Sequence, residues 1–232
     1  MKRCVFGDLH GHYDSFFKLY AKEEPDEVIL LGDYLDSFTI NSQGCANCLN
    51  SILKLKENHE KHNGKFIILL GNHELHYVLP GEYYSGHKLE TQGLVYKVLS
   101  ESILNGTIRP IYFEDDTIYS HAGITNTWMK NNGLKSLEEI NKIESILDLG
   151  KFRFTGFNMY GDSVESGPMW VRPKSLTKDH YQNYTQIVGH TPMKQSMQID
   201  NLYFIDCMPR QYIIETIEDG KCIERQVAEG ND

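Results

Sequence analysis

The sequence predicts a mixed α/β fold, and three observations carry that prediction. Three short apolar runs, Cys4-Val5-Phe6, Val28-Ile29-Leu30-Leu31 and Phe66-Ile67-Ile68-Leu69-Leu70, each close on a glycine, Gly7, Gly32 and Gly71. Runs this short and uniformly apolar read as strands buried on both faces. The segments between them place apolar residues at helical spacing, so the order is β-α-β-α-β, which calls for parallel pairing through right-handed crossovers. Behind each glycine stands a polar cluster: Asp8-Leu9-His10-Gly11, Asp33-Tyr34-Leu35-Asp36 and Asn72-His73-Glu74. These clusters fall just past the carboxyl ends of the strands, where open α/β sheets hold their ligands.

The first strand is expected over residues 2–8. Gly11-His12-Tyr13-Asp14 then turns into a helix whose Phe16, Phe17, Leu19 and Tyr20 face the sheet. Pro25-Asp26 ends that connection before the second strand. Leu49, Ile52, Leu53 and Leu55 give a helix over Cys45 to Asn58, which Asn63-Gly64 stops ahead of the third strand. After a loop containing Pro80-Gly81, the positions of Leu94, Val95, Val98 and Leu99 predict a helix from Thr91 to Ser102. Ile111-Tyr112-Phe113 and Thr117-Ile118-Tyr119 flank Glu114-Asp115-Asp116 as a hairpin, and its second arm runs into Ser120-His121-Ala122-Gly123. Residues 125–165, helical between Leu137 and Leu149 and then rich in Gly, Asn and aromatic residues, are expected to shape the substrate mouth. Gln186-Ile187-Val188 is a further strand, ending in Gly189-His190-Thr191-Pro192. The tail reads as a β-meander of Leu202 to Ile205, Tyr212 to Ile217 and Cys222 to Val227, with Asp219-Gly220 at its last turn.

With 232 residues, the chain is expected to form a single domain over positions 1–232. Its formal net charge of -9 speaks against a nucleic-acid surface, which needs clustered Lys and Arg. No apolar run approaches membrane-spanning length, and Met1-Lys2-Arg3 leads straight into the first strand, so the expectation is a cytoplasmic protein with no membrane partner. Five cysteines, an odd number, point to reduced thiols rather than a disulfide framework. Cys45-Ala46-Asn47-Cys48 has zinc-knuckle spacing, but no second ligand pair stands nearby, and the two thiols read as the first turns of a helix.

The polar clusters gather Asp8, His10, Asp33, Asn72, His121 and His190 as candidate metal ligands. Any one of them alone would read as an N-cap, a turn residue or a satisfied histidine; it is the repetition with a glycine close by that argues for ligation. Carboxylate, amide oxygen and imidazole suit two divalent ions such as manganese, iron or zinc. Asp33 is the expected bridge between them. Ions so bridged lie about 3.5–4 Å apart, clamp an in-line displacement at phosphorus and acidify a water between them into the nucleophile. His73 can donate a proton to the leaving oxygen, Asp36 can hold its second ring nitrogen, and Arg172 can neutralise phosphoryl oxygens. Glu74 is expected to accept a hydrogen bond from a loop amide. Trp170 and Tyr34 are expected to pack, with lining of the mouth the alternative for either, and His12, His76 and His87 stay outside the site, at the surface or just behind it.

Gly7-Asp8-Leu9-His10-Gly11, Gly32-Asp33-Tyr34-Leu35-Asp36 and Gly71-Asn72-His73-Glu74 resemble the three signature motifs of the phosphoprotein phosphatase branch of the calcineurin-like metallophosphoesterases. His121-Ala122-Gly123 and Gly189-His190-Thr191-Pro192 resemble the later histidine motifs of its small bacterial and phage serine/threonine phosphatases. The resemblance implies a four-layer αββα sandwich of two mixed sheets. It also implies one metal on Asp8, His10 and Asp33, a second on Asp33, Asn72, His121 and His190, an Asp36–His73 acid dyad, and Arg172 as a phosphate-binding arginine. Manganese is the ion expected in vitro. One position departs: where the family has a phosphate-gripping arginine after the Asp36 position, this chain has Ser37, which loses a bidentate charged clamp. The implied activity is hydrolysis of phosphomonoesters on protein serine, threonine or tyrosine or on small molecules. The alternatives are a dinucleoside polyphosphate or nucleotide hydrolase on the same centre, and a non-catalytic, metal-stabilised binding module. A monomer suffices for each.

Overall fold

A computed structural model describes residues 1–155, 162–182 and 184–230, in which two mixed β-sheets pack face to face with helices outside them. In chain order the elements are β1 (Lys2–Phe6), α1 (Tyr13–Glu23), β2 (Glu27–Leu30), α2 (Ser42–Lys61), β3 (Lys65–Leu69), α3 (Asn72–Val78), α4 (Leu89–Leu104) and β4 (Ile108–Arg109). There follow β5 (Ile111–Glu114), β6 (Thr117–Ser120), α5 (Asn126–Asn131), α6 (Leu137–Ile140), a 3-10 turn (Ile146–Phe152) and α7 (Pro173–Asp179). The chain closes with β7 (Thr185–Val188), β8 (Met197–Ile199), β9 (Leu202–Phe204), β10 (Gln211–Glu218) and β11 (Lys221–Glu229).

One sheet runs β11-β10-β1-β2-β3-β4 and the other β5-β6-β7-β9-β8. The expected parallel core is present: β1 to β4 pair in parallel in sequence order. Alternation along these strands divides the apolar residues. Val5, Ile29, Leu31, Ile67 and Leu69 meet Tyr119, Ile187 and Ile205 between the sheets. Their neighbours Cys4, Phe6, Val28, Leu30, Phe66 and Ile68 belong to the core formed with Phe16 and Leu19 of α1 and Leu49 and Ile52 of α2. On the second sheet, Leu176 of α7 packs among Val188, Leu202 and Phe204. Cys45 and Cys48 are free and buried on the first turns of α2, so the thiols pack as predicted.

The tail departs from the predicted meander. β10 and β11 form the expected hairpin, but β10 pairs with β1 of the first sheet, whereas β9 lies parallel to β7 in the second. Consecutive apolar runs thus cross between sheets, a choice that periodicity cannot report. Pro110 sits at a similar crossing, because β4 pairs with β3 and β5 pairs with β6. A residue without an N–H suits the point where the chain leaves one ladder for another. The helix predicted between Leu137 and Leu149 breaks into α6 and the 3-10 turn. A further short helix, α3, begins at Asn72 itself and places the third polar cluster on its first turn.

Charge as well as apolar contact ties the sheets together. Arg3 of β1 is 2% exposed and donates to Glu27 of β2 at 2.7 Å, to the Tyr119 hydroxyl of β6 at 3.0 Å and to Glu215 of β10 at 3.4 Å. It also pairs with Glu114 of β5. A charge taken out of water is tolerable only when its partners remain. Arg3→Leu takes the closest cation from buried Glu27, while Glu215 keeps Arg225 at 2.7 Å, and it is expected to lower unfolding free energy by about 3–5 kcal/mol. A urea denaturation midpoint unchanged from wild type would refute this.

Candidate metal centre

Every predicted ligand lies at or just past the carboxyl end of a strand. Asp8 and His10 follow β1, Asp33 follows β2 and Asn72 opens α3 directly after β3, while His121 and His190 follow β6 and β7 of the second sheet. The site therefore occupies the edge that the two sheets share. His10 (φ 43°), Asp33 (φ 54°), Asp36 (φ 60°) and His190 (φ 65°) all adopt the left-handed backbone region. That conformation costs a residue with a Cβ on the order of 1–3 kcal/mol.

Hydrogen bonds hold those angles. The Leu9 and His10 amides donate to the Asp33 carbonyl at 2.9 and 2.8 Å, and the Gly11 amide donates to that of Tyr34 at 2.8 Å. Glu74, fully buried, accepts from the amides of Asp33 (2.9 Å), Tyr34 (2.8 Å) and Leu35 (3.2 Å). It also accepts from Gly71 at 3.1 Å, the reciprocal half of a capping box. The residue expected to take one loop amide takes four. The glycines are explained by crowding: a Cβ at position 71 would lie 2.2 Å from Asp33 Oδ1, and one at 189 would lie 2.1 Å from Asp8 Oδ1.

The donor atoms converge in two groups. Oxygen or nitrogen atoms of Asp8, His10 and Asp33 lie within 4.8 Å of one another. Asn72 Oδ1 lies 2.8 Å from His121 Nε2 and 3.0 Å from His190 Nδ1, the two rings are 3.1 Å apart at those nitrogens, and Asp33 Oδ2 is 3.4 Å from His121 Nε2. Asp33 thus belongs to both groups. His121 Nδ1 lies 3.0 Å from the Leu31 carbonyl and donates to it, so its Nε2 offers a lone pair. A lone pair facing the Asn72 amide oxygen at hydrogen-bond distance calls for a cation. Burial favours the neutral form that metal ligands need: it lowers His121, and with repulsion from His121 and Arg172 it drives His190 well below the usual histidine range. Burial and the Asp206 and Asp33 charges push Asp8 well up. For Asp33, burial is outweighed by His121, His73 and His10, which hold its carboxyl below the usual range. The residues fit divalent metal.

Beside this cluster His73 Nδ1 lies 2.8 Å from Asp36 Oδ2, and Nε2 of the same ring lies 3.8 Å from Asp33 Oδ2. Burial pulls the His73 pKa down, but Asp33 and Asp36 raise it to about 9. The predicted dyad is therefore assembled. Arg172 lines the same cavity, about 590 Å³ in volume, with its Nη1 3.3 Å from Thr191 Oγ1. Among the described residues that line the cavity, it is the one Lys or Arg. Ser37 lines it too, but its hydroxyl accepts from the Thr39 and Ile40 amides at 3.2 and 3.1 Å and so closes a turn.

Three residues at the site went unread in the sequence. Asp206 lines the cavity after β9, and burial raises its carboxyl to about 6; no glycine marked it. His76, which the sequence left either at the surface or just behind the site, is buried behind it with Nε2 2.6 Å from Asp36 Oδ2, a contact the sequence did not show. Phe38 stands 96% exposed at the mouth. The mouth is otherwise walled by Tyr84, Trp170 and Phe154. Phe154 is the contribution of the 125–165 segment among the described residues; positions 156–161 of that segment lie outside them. Tyr34 packs as expected, donating its hydroxyl to the Leu69 carbonyl at 2.7 Å. Trp170 packs edge-on to Tyr84 while reaching the cavity. Of the other histidines set aside, His12 lines the cavity and His87 stacks on Tyr77.

A two-sheet sandwich that carries metal-ligating side chains to one shared edge is the architecture of the metallophosphoesterases. The chain belongs to the calcineurin-like phosphoesterase family, whose model matches residues 1–208. Its fold is similar to that of a cold-active protein-tyrosine phosphatase of the psychrophile Shewanella sp., with a TM-score of 0.66 at 18% identity over 97% of this chain and 80% of that one. Yfce, a phosphoesterase from E. coli, aligns over 100% of both chains at 14% identity with a TM-score of 0.39. No curated protein sequence matches. Among the described residues, no helix is long and apolar enough to cross a membrane.

The glycine contacts generate a test. Gly189→Ala must displace the Asp8 carboxylate, and it is expected to weaken divalent-metal affinity by about 10- to 100-fold with the circular dichroism spectrum preserved. Calorimetric titration with manganese checks it, and wild-type affinity would count against a metal at Asp8.

Proposed function

We propose that the protein is a metal-dependent phosphomonoesterase of the phosphoprotein phosphatase branch, acting on serine, threonine or tyrosine phosphate or on small phosphoesters. The observation that carries this reading is the charged His73–Asp36 pair standing 3.8 Å from the carboxylate shared by both ligand groups. Divalent ions held by Asp8, His10 and Asp33 and by Asp33, Asn72, His121 and His190, with manganese the first choice in vitro and iron or zinc the others, would supply acidified water and neutralise phosphoryl charge. The protein's own part is orientation and proton transfer. Asp36 aims His73, whose Nε2 proton passes to the leaving oxygen as the P–O bond breaks. Arg172 faces phosphoryl oxygens as their charge grows.

A second reading, a nucleotide or dinucleoside polyphosphate hydrolase on the same centre, is favoured by the aromatic mouth together with Ser37 in place of the family's arginine. Adenine nucleotides competing with an artificial phosphoester would support it. A metal-stabilised binding module has no use for a proton donor aimed into the cluster.

The test is release of p-nitrophenol from p-nitrophenyl phosphate by metal-stripped protein as manganese is restored. Activity should rise with manganese and be lost in Asp33→Asn. His73→Ala is expected to reduce kcat by about 100-fold or more on phosphoesters with poor leaving groups. Unchanged turnover in both variants would overturn the reading.

A further inference from the structure

The loop that carries Asp36 has to be fixed before Asp36 can aim anything. α3 supplies that fixing along one face, since positions 73, 76 and 77 are neighbours at helical spacing. His73 Nδ1 lies 2.8 Å from Asp36 Oδ2, His76 Nε2 lies 2.6 Å from the same oxygen, and the Tyr77 hydroxyl donates to Oδ1. The His76 approach is at ion-pair distance but departs from the ring N–H axis. From the other side Gly86 closes on the carboxylate: a Cβ there would lie 2.9 Å from Asp36 Cβ.

His76 has little else to do. Its side chain is fully buried, and neither ring nitrogen makes a directed hydrogen bond among the described residues, although Nε2 stands at ion-pair distance from Asp36. The ring is held edge-on to Tyr77 at 4.3 Å and to His87 at 5.0 Å, and it stacks on Tyr84 at 5.9 Å. A phenylalanine would satisfy that aromatic cage without leaving a ring nitrogen unpaired, so packing alone does not account for an imidazole. The Nε2 charge that stands 2.6 Å from Asp36 Oδ2 does.

We infer that His76 is a positioning residue for the proton donor: with Tyr77 it locks both oxygens of Asp36, and through Asp36 it sets the direction in which His73 presents its Nε2 proton. The sequence His73-Glu74-Leu75-His76-Tyr77 is then a single device, in which one helix carries both the donor and the two anchors of the donor's partner. This inference rests on the phosphatase reading above.

A residue that acts only through leaving-group protonation has a signature that a structural residue lacks. Phenolate leaves with the help of a proton, whereas p-nitrophenolate leaves with little. His76→Phe fills the cage without a donor, and it is expected to lower kcat on phenyl phosphate by about 10- to 100-fold, with KM and p-nitrophenyl phosphate turnover close to wild type. His76→Gln, whose amide nitrogen stands where Nε2 stood, should restore most of the phenyl phosphate rate, and His76→Asn, which is too short, should not. If His76→Phe does not fold, the Gln and Asn pair carries the comparison. Losses equal on the two substrates at wild-type metal content, or no loss on phenyl phosphate, would overturn the role of His76 alone. A wild-type protein that turns over neither substrate would overturn the phosphatase reading and this inference with it.

Discussion

The site depends first on a buried carboxyl group that belongs to neither ligand group and does not line the cavity. Glu74 takes four backbone amides, from Gly71, Asp33, Tyr34 and Leu35, and so ties the loop after β2 to the start of α3. The Asp33 carbonyl in turn receives the Leu9 and His10 amides from the loop after β1. One carboxylate therefore sets the relative positions of three loops. The magnitudes make this adequate: hydrogen bonds to a charged group contribute about 1.5–3 kcal/mol each, against about 1–3 kcal/mol for each left-handed residue. Four such bonds outweigh the strain at Asp33 and Asp36 together. Burial and the Asp33 charge raise the Glu74 pKa while the Tyr34 and Asp33 amides lower it, and all four of its partners are N–H donors of the kind an ionised carboxylate accepts.

Around that clamp, charge is arranged to require cations. Asp8, Asp33 and Asp206 are buried or nearly so at one strand edge, where their mutual repulsion raises Asp8 and Asp206. His121 and His190 compensate only in part, because burial lowers the pKa of both. Divalent metal resolves this conflict, and it also explains how a chain with a net charge of -9 can present a local site for phosphate. The acidity that argues against nucleic acid belongs to the outer surface, and the cavity works under a different balance.

The legible part of the fold was the part written in local grammar. A short apolar run closed by glycine locates a strand end, and the residue after the glycine falls at the ligand edge; the three early clusters and His190 came from that rule, while His121 follows Ser120 and has its glycine two residues on. Pairing between distant strands is not local, which is why β9 and β10 read as neighbours although they lie in different sheets. Asp206 was lost with that error, since it follows β9 without a glycine. His76 was lost for another reason. Helical spacing places it on the face of His73, but only the path of the loop carrying Asp36 reveals that a carboxylate waits there.

Ser37 shows how a single departure from a family pattern reshapes a mouth. Its hydroxyl closes a turn with the Thr39 and Ile40 amides, and its carbonyl accepts from Lys88 Nζ at 3.3 Å, so it has left phosphate recognition for loop structure. The residue after it, Phe38, stands 96% exposed at the rim. With Arg172 the one Lys or Arg among the described lining residues, on the proposed function the anchoring of phosphate would fall to that guanidinium and to metal held by the ligand groups. Burial lowers the Arg172 pKa, but a guanidinium stays charged far above neutrality, so desolvation strengthens its grip on phosphate rather than silencing it. What remains at the rim is a ring of Phe38, Tyr84, Phe154 and Trp170, which selects by shape and apolar contact. The discrimination between substrates then moves from the phosphate, which all of them share, to the group that leaves.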